Sequence, residues 1–268
     1  MDIVSLIGLI LALIGVFVGM VLKGVPFSAV LNPAATLIII VGTAGAVCIA
    51  TPMSRIKNIG RLFGIVFGEK NHMQIQEVIE FLVRFAEIAR KEGLLALEKN
   101  VKEIEDPFMK RGFGMLIDGA HSEFLEEALM EDIASMEERH GANAQIFTQA
   151  GTYAPTLGVL GAVIGLIAAL GNMNDTEALG HAISAAFMAT MFGIFTGYVL
   201  WHPFANKLRQ KSMIEAEIKK LILKGILTIQ LGENPRMLRE KLYSCLSVEE
   251  RSKLATESTG SGTAEGGK

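Results

Sequence analysis

Charge is missing from four long stretches of this 268-residue chain. Residues 3–22 and 24–54 hold no Asp, Glu, Lys or Arg, and the same is true of residues 141–174 and 178–206. A soluble domain spreads its charged residues along its length. A helix of about 20 apolar residues crosses the hydrocarbon layer, so these stretches exclude an ordinary soluble globule and predict membrane spans. Cysteine is nearly absent. Cys48 lies inside an apolar run and Cys245 far away near the C-terminus, which argues against a disulfide framework and a cysteine metal site. The net charge is -3 and no basic patch interleaves with aromatics, so nucleic acid is not an expected partner. No nucleophile–base arrangement, phosphate-cradling glycine loop or metal-ligand spacing appears either. Neither an enzyme nor a resident cofactor is expected. The first apolar stretch lacks a basic leader and a small-residue cleavage motif, so it reads as a retained span rather than a signal peptide.

What is present is hydrophobic in bulk: half the residues, with a mean hydropathy of +0.40. The predicted fold class is an all-α integral membrane protein with four transmembrane helices in two hairpins. The spans are placed at residues 1–22, 33–52, 146–171 and 179–203. A helical cytoplasmic domain over residues 53–145 separates the hairpins, cytoplasmic helices follow over 204–254, and the tail 255–268 has no apolar pattern and is expected to be disordered. Basic residues cluster after the second span (Arg55, Lys57, Arg61) and after the fourth (Lys207, Arg209, Lys211), and Arg139 precedes the third. The turn between spans three and four is acidic. The excess of Lys and Arg on cytoplasmic segments therefore puts both polar regions and both termini in the cytoplasm, with Lys23 a mild exception.

Between the hairpins the pattern is helical. Ile75, Val78, Ile79, Leu82, Phe85, Ala86 and Ala89 recur at helical spacing, and Leu94, Leu97, Val101 and Ile104 continue it past Gly93. Asp106-Pro107 and Asp118-Gly119 read as breaks. Ser122 then reads as an N-cap for a helix with the stripe Leu125, Leu129, Ile133, Met136, which can run on into the third span. Residues 55–140 carry 12 basic and 17 acidic side chains, and residues 207–254 carry 11 and 6. Balances of -5 and +5 suggest that these parts pack on each other.

Small residues form stripes in three spans: Gly8, Ala12, Gly15 and Gly19 in the first, Ala154, Gly158, Gly161, Ala162, Gly165 and Ala169 in the third, and Ala182, Ala186, Ala189, Gly193 and Gly197 in the fourth. Such stripes let helix backbones approach closely, either within one bundle or around a partner helix. Three of them in four spans point to oligomerisation. No Asp, Glu, Lys or Arg lies within the interior of any span. A conducted ion would therefore find its titrating group on another chain. Thr190 lies on the small stripe of the fourth span, and Thr152, Tyr153 and Thr156 form a polar group at one end of the third. A threonine there either bonds its own helix or lines a pore. Pro155 permits a bend in a continuing helix, whereas Pro203 reads as the terminator of the fourth span.

The run Gly151-Thr-Tyr-Ala-Pro-Thr-Leu-Gly-Val-Leu-Gly-Ala-Val-Ile-Gly-Leu-Ile-Ala-Ala-Leu170 resembles the third span of the MotA family of flagellar stator subunits. The segment from His181 to Leu208 resembles the fourth, and Ala89–Glu98 resembles the rotor-contacting segment. The likeness covers residues 1–250 and is closest to the Bacillus type. It implies a homopentamer in the bacterial inner membrane around a MotB dimer, which would supply the membrane aspartate and the peptidoglycan anchor. It implies that Arg90 and Glu98 touch the rotor protein FliG, that Pro155 and Pro203 couple ion flux to movement, and that Thr190, Ala162 and Thr156 border the ion pathway. Ala162 matches a position where sodium-type relatives carry threonine. A methyl cannot replace a water ligand of Na⁺, which favours a proton-driven motor over a sodium-driven one. The alternative of an ExbB- or TolQ-like energy transducer fits less well, because those relatives typically have three spans and an external N-terminus. A membrane scaffold without transport would leave Thr190, Pro155 and the missing carboxylate without meaning.

Overall fold

The computed structural model describes residues 2–25, 33–68, 74–171 and 175–246. The expected disordered tail and residues 172–174 of the acidic turn lie outside the described residues. Among the described residues every regular element is helical. In chain order these are α1 (Ile3–Leu22), α2 (Pro33–Ala50), α3 (Met53–Ile56), α4 (Ile59–Phe67), α5 (Ile75–Glu92), a 3₁₀ turn (Leu94–Leu97), α6 (Glu98–Val101), α7 (Pro107–Ile117), α8 (Ser122–Leu170), α9 (Thr176–Gln230) and α10 (Pro235–Tyr243). Helices α1, α2, α8 and α9 are each long and apolar enough to cross a membrane. That supports an all-α membrane protein with four spans.

Helix starts follow local chemistry. The first four N–H groups of a helix lack partners, and a side-chain oxygen at the cap supplies one. The Ser5 N–H donates to the Asp2 carboxylate at 3.3 Å, the Met109 N–H to Asp106 at 2.7 Å, and the Glu177 and Ala178 N–H groups to Asp175 at 3.1 and 2.9 Å. Asp106-Pro107 is thus a start as well as a break. Gly93, at φ +85°, ends α5 and diverts the chain into the 3₁₀ turn. The apolar pattern beyond it survives in burial, with Leu97, Val101 and Ile104 all inside.

The chain forms two compact units, Met1–Lys70 with Arg139–Ser212, and Asn71–Glu138 with Met213–Lys268. In the second unit, Val78, Leu82 and Phe85 of α5, Phe113 of α7, Leu125, Leu129 and Ile133 of α8, Ile222 and Ile226 of α9 and Leu238 of α10 share one apolar core. The regions of opposite charge balance do pack together here, but through hydrocarbon. An ion pair that joins them, Lys220–Glu137 at 3.9 Å, is about half exposed at both ends, and such pairs stabilise little. In the first unit the core sits where Val47, Leu62, Val66, Phe147, Ala150 and Ala205 meet. Phe63, Phe147, Trp201 and Phe204 form an aromatic cluster there, with Phe63 edge-on to Phe147 at 5.1 Å.

One expectation fails. Pro203 does not terminate its helix, because α9 runs on through it to Gln230. Residues Thr196–Trp201, directly before it, form a π-turn. A proline clashes with the carbonyl four residues back, and the wider π-turn gives that carbonyl room. A second π-turn, Leu37–Val41, lies inside α2.

Candidate functional site

The spans of α8 and α9 touch through backbone rather than side chain. A methyl added at Gly193 would lie 2.7 Å from the Ala154 carbonyl oxygen and 2.9 Å from Gly158 Cα. One added at Gly158 would lie 2.9 Å from the Ala189 oxygen. Only glycine permits such approach, so this part of the small-residue stripes is spent within the chain. Gly161 and Gly42 extend the contact to α2, against Ile38 and Leu157. By contrast, Gly8, Gly15 and Gly19 of α1 and Gly165 of α8 have nothing within 4 Å of such a methyl.

Pro155 sits inside α8, half-buried. It has no N–H, so the Gly151 carbonyl loses its helical donor. Gly197 of the α9 π-turn lies against that point, and the His202 ring lies against Gly151 itself. The two prolines are therefore in different settings: Pro155 in the packed seam, and Pro203 exposed on α9.

The candidate pathway residues lie on two helices, Thr156 and Ala162 on α8 and Thr190 on α9. Thr190 is half-buried and donates to the Ala186 carbonyl at 3.2 Å. Thr156 is exposed and donates to the Tyr153 carbonyl at 2.8 Å. Each hydroxyl proton is thus used on its own helix, which leaves the oxygen lone pairs available as acceptors. Ala162 is buried. Thr43 differs from these threonines: it is 4% exposed in α2 and its hydroxyl has no hydrogen-bond partner.

Arg90 and Glu98 are both exposed. Arg90 occupies the last turn of α5, and Glu98 opens α6 beyond Gly93 and the 3₁₀ turn. Arg90 also borders a cavity of about 100 Å³ with Ala89, Leu94, Gln230 and Glu233.

Charge counting missed one cluster. Lys207 and Lys211, one turn apart on α9, read as part of a basic flank, yet each has a specific partner. Lys207 pairs with Asp2 at 2.5 Å, and the Asp2 N–H donates to the Phe67 carbonyl at 2.9 Å. The Lys211 ammonium donates to the carbonyls of Ile65 and Gly68, both at 2.6 Å, at the end of α4. A cation at a helix C-terminus meets carbonyls without helical donors. The Lys207 ammonium holds the Asp2 carboxyl down at about 2; partial burial opposes this and the Ser5 N–H assists it. The four-residue spacing of the two lysines was visible in sequence, but their partners were not.

Comparison with known proteins places this arrangement. The MotA/TolQ/ExbB proton channel family matches residues 100–221, and Motility protein A N-terminal matches residues 6–93. The chain is 53% identical to Motility protein A of Bacillus subtilis, over 96% of this chain and 95% of that protein. It is 33% identical to Chemotaxis protein PomA of Vibrio alginolyticus, over 94% and 98%. It matches a chain in the structure of the flagellar MotAB stator complex from Bacillus subtilis with a TM-score of 0.90 and 54% identity, covering 95% of this chain and 100% of that one. The match to C. jejuni MotAB has a TM-score of 0.88 at 34% identity, covering 92% and 97%. With relatives of this identity along nearly its whole length, the chain belongs to the motility protein A group of the MotA/TolQ/ExbB proton channel family, the membrane subunits of flagellar stators.

Proposed function

We propose that this stator subunit surrounds a MotB dimer as a homopentamer, conducts protons with it, and delivers torque to the rotor protein FliG. The observation that carries this reading is a likeness to stator chains along nearly the whole chain, in a protein whose four spans hold no Asp, Glu, Lys or Arg in their interior. The carboxylate that binds and releases the ion then belongs to the partner helix. This chain contributes the surrounding wall, including Thr190, Ala162 and Thr156.

Protons are favoured over sodium because Ala162 offers no oxygen where sodium-type relatives carry threonine. Sodium needs hard oxygen ligands in place of its water shell. Pro155 and Pro203 transmit ion occupancy into movement, and Arg90 and Glu98 make the charged rotor contacts. Both termini face the cytoplasm of a bacterial inner-membrane protein, in keeping with the basic flanks. The chain has no enzymatic role.

The test is swimming speed in a stator-deleted host carrying this chain and its MotB partner. External sodium is varied at fixed proton gradient, and the gradient is then collapsed at fixed sodium. Motility should ignore sodium and stop with the proton gradient. Motility that tracks sodium would overturn the ion assignment, and none at all with protein in the membrane would overturn the stator reading.

A further inference from the structure

Three features converge at one level of the α8–α9 seam. Pro155 leaves the Gly151 carbonyl without its helical donor at a buried position, where an unsatisfied carbonyl is costly. Residues Thr196–Trp201 of α9 form a π-turn at that level, a rare geometry found often at functional sites. Gly197, inside that turn, is directed at the open carbonyl: a methyl in place of its α-hydrogen would lie 2.7 Å from the Gly151 oxygen, and 2.8 and 2.9 Å from Pro155 Cγ and Cδ.

We propose that Gly197 is a positioning residue for the coupling step, its α-hydrogen capping the Gly151 carbonyl that Pro155 exposes and so holding α9 in its π-turn register. A Cα–H···O contact is weak in water, but here it serves a carbonyl that has lost its helical N–H donor. Glycine is required because its α-hydrogen and the proline ring occupy the space that a side chain needs. The seat places Pro155 and Pro203 on either side of one π-turn, so a movement at the first proline reaches the second through the turn's register. Thr196 reinforces the turn, its hydroxyl donating to the Phe192 and Gly193 carbonyls at 3.0 and 3.1 Å. The inference rests on the coupling role proposed for Pro155.

The turn carries its own reporter. Trp201 is the single tryptophan of the chain and ends the π-turn, stacked on Phe147 with ring centroids 6.0 Å apart and planes at 19°. The experiment compares the parent, Gly197→Ala, Pro155→Ala, and the double variant Gly197→Ala/Pro155→Ala, each purified with its MotB partner in lipid nanodiscs. Trp201 emission and acrylamide quenching are read first, then torque on beads tethered in a stator-deleted host. One methyl of overpacking should shift the ratio of seated to unseated turn about tenfold in Gly197→Ala, with a matching change in quenching and a loss of torque. In the double variant the ring carbons are gone and residue 155 again donates an N–H to Gly151. The Gly151 oxygen still lies 2.7 Å from the added methyl, so Trp201 should return only part of the way to the parent signal, even though torque stays low for want of Pro155. Gly45→Ala, where an added methyl meets nothing within 4 Å, should match the parent throughout.

Parental Trp201 emission in Gly197→Ala would overturn the seat. A double variant no closer to the parent than Gly197→Ala would show that the seat does not belong to Pro155, and would overturn the inference as well. A shifted Trp201 signal with undiminished torque would overturn the positioning role while leaving the stator reading intact. If Pro155→Ala alone keeps full torque, it is the coupling role of Pro155 that fails, separately from the Trp201 result.

Discussion

The two compact units use glycine and large apolar residues in opposite ways. In the unit of residues 71–138 and 213–268, bulky side chains such as Phe85, Phe113, Leu125 and Leu129 are fully enclosed. Glycines there face the ends of flexible side chains: a methyl at Gly112 would meet Ile226 Cδ1 at 2.6 Å, and one at Gly225 would meet Leu82 Cδ1 at 2.5 Å. In the unit containing the spans, large residues such as Ile7, Leu11, Val163 and Ile167 lie on the outside. Here Gly158, Gly193 and Gly197 make their closest contacts against backbone. The difference follows from the solvent. Water drives bulky hydrocarbon inward, whereas lipid is as apolar as leucine and rewards close backbone packing instead.

That contrast can be broken by substitution. Phe113→Ala should have the largest effect, about 3–5 kcal/mol of destabilisation from lost burial and a residual cavity, read as a lowered melting midpoint of the purified protein. Gly193→Ala should cost about 1–3 kcal/mol, because the new methyl meets the Ala154 carbonyl and Gly158 Cα, neither of which can rotate away. The same substitution at Gly112 should be nearly neutral, since the Ile226 side chain can turn aside and alanine favours the helix. Equal melting midpoints for these two glycine variants would refute the distinction between backbone and side-chain neighbours.

The smallest effect concerns the ion pair in the first unit. The Asp2 carboxyl titrates at about 2 in the folded protein, below its ordinary value of 3.8. The stability it contributes is therefore fully present above pH values near 4 and is lost as pH falls through about 2. Asp2→Asn should lower the melting midpoint slightly at neutral pH, and the gap between variant and parent should close on acidification. A gap that widens in acid would mean that Asp2 does not titrate as the Lys207 pair requires.

Much of the fold was readable from particular residues. Charge-free runs marked the four spans, Asp106-Pro107 and Asp118-Gly119 marked breaks, and the stripe from Leu125 to Met136 led unbroken into the third span. These signals are local or periodic, and each helix obeys them before it meets a neighbour. Pro203 misled because a helix can run on through a proline, as α8 does at Pro155, and a π-turn leaves no mark in composition. The candidate site was less legible. Thr190, Thr156, Arg90 and Glu98 were identified through resemblance to a family, and geometry gave each a place in the fold. Lys207 and Lys211 were read only as a basic flank and Gly197 only as part of a small-residue stripe, because their partners, Asp2 among them, are distant in the chain.

By itself the sequence determined which segments are long and apolar enough to span a membrane, where breaks fall at Asp106-Pro107 and Asp118-Gly119, and that no carboxylate lies in the interior of a span. Hydrophobicity, capping and charge act over a few residues and need no partner. The tertiary structure alone decided which glycines are spent inside the chain and which are left open, as Gly193 and Gly197 differ from Gly8 and Gly165. It alone decided that a carbonyl opened by one proline would meet a π-turn before another. Those outcomes depend on which backbone comes within about 3 Å of which other, and no stretch of sequence carries that distance.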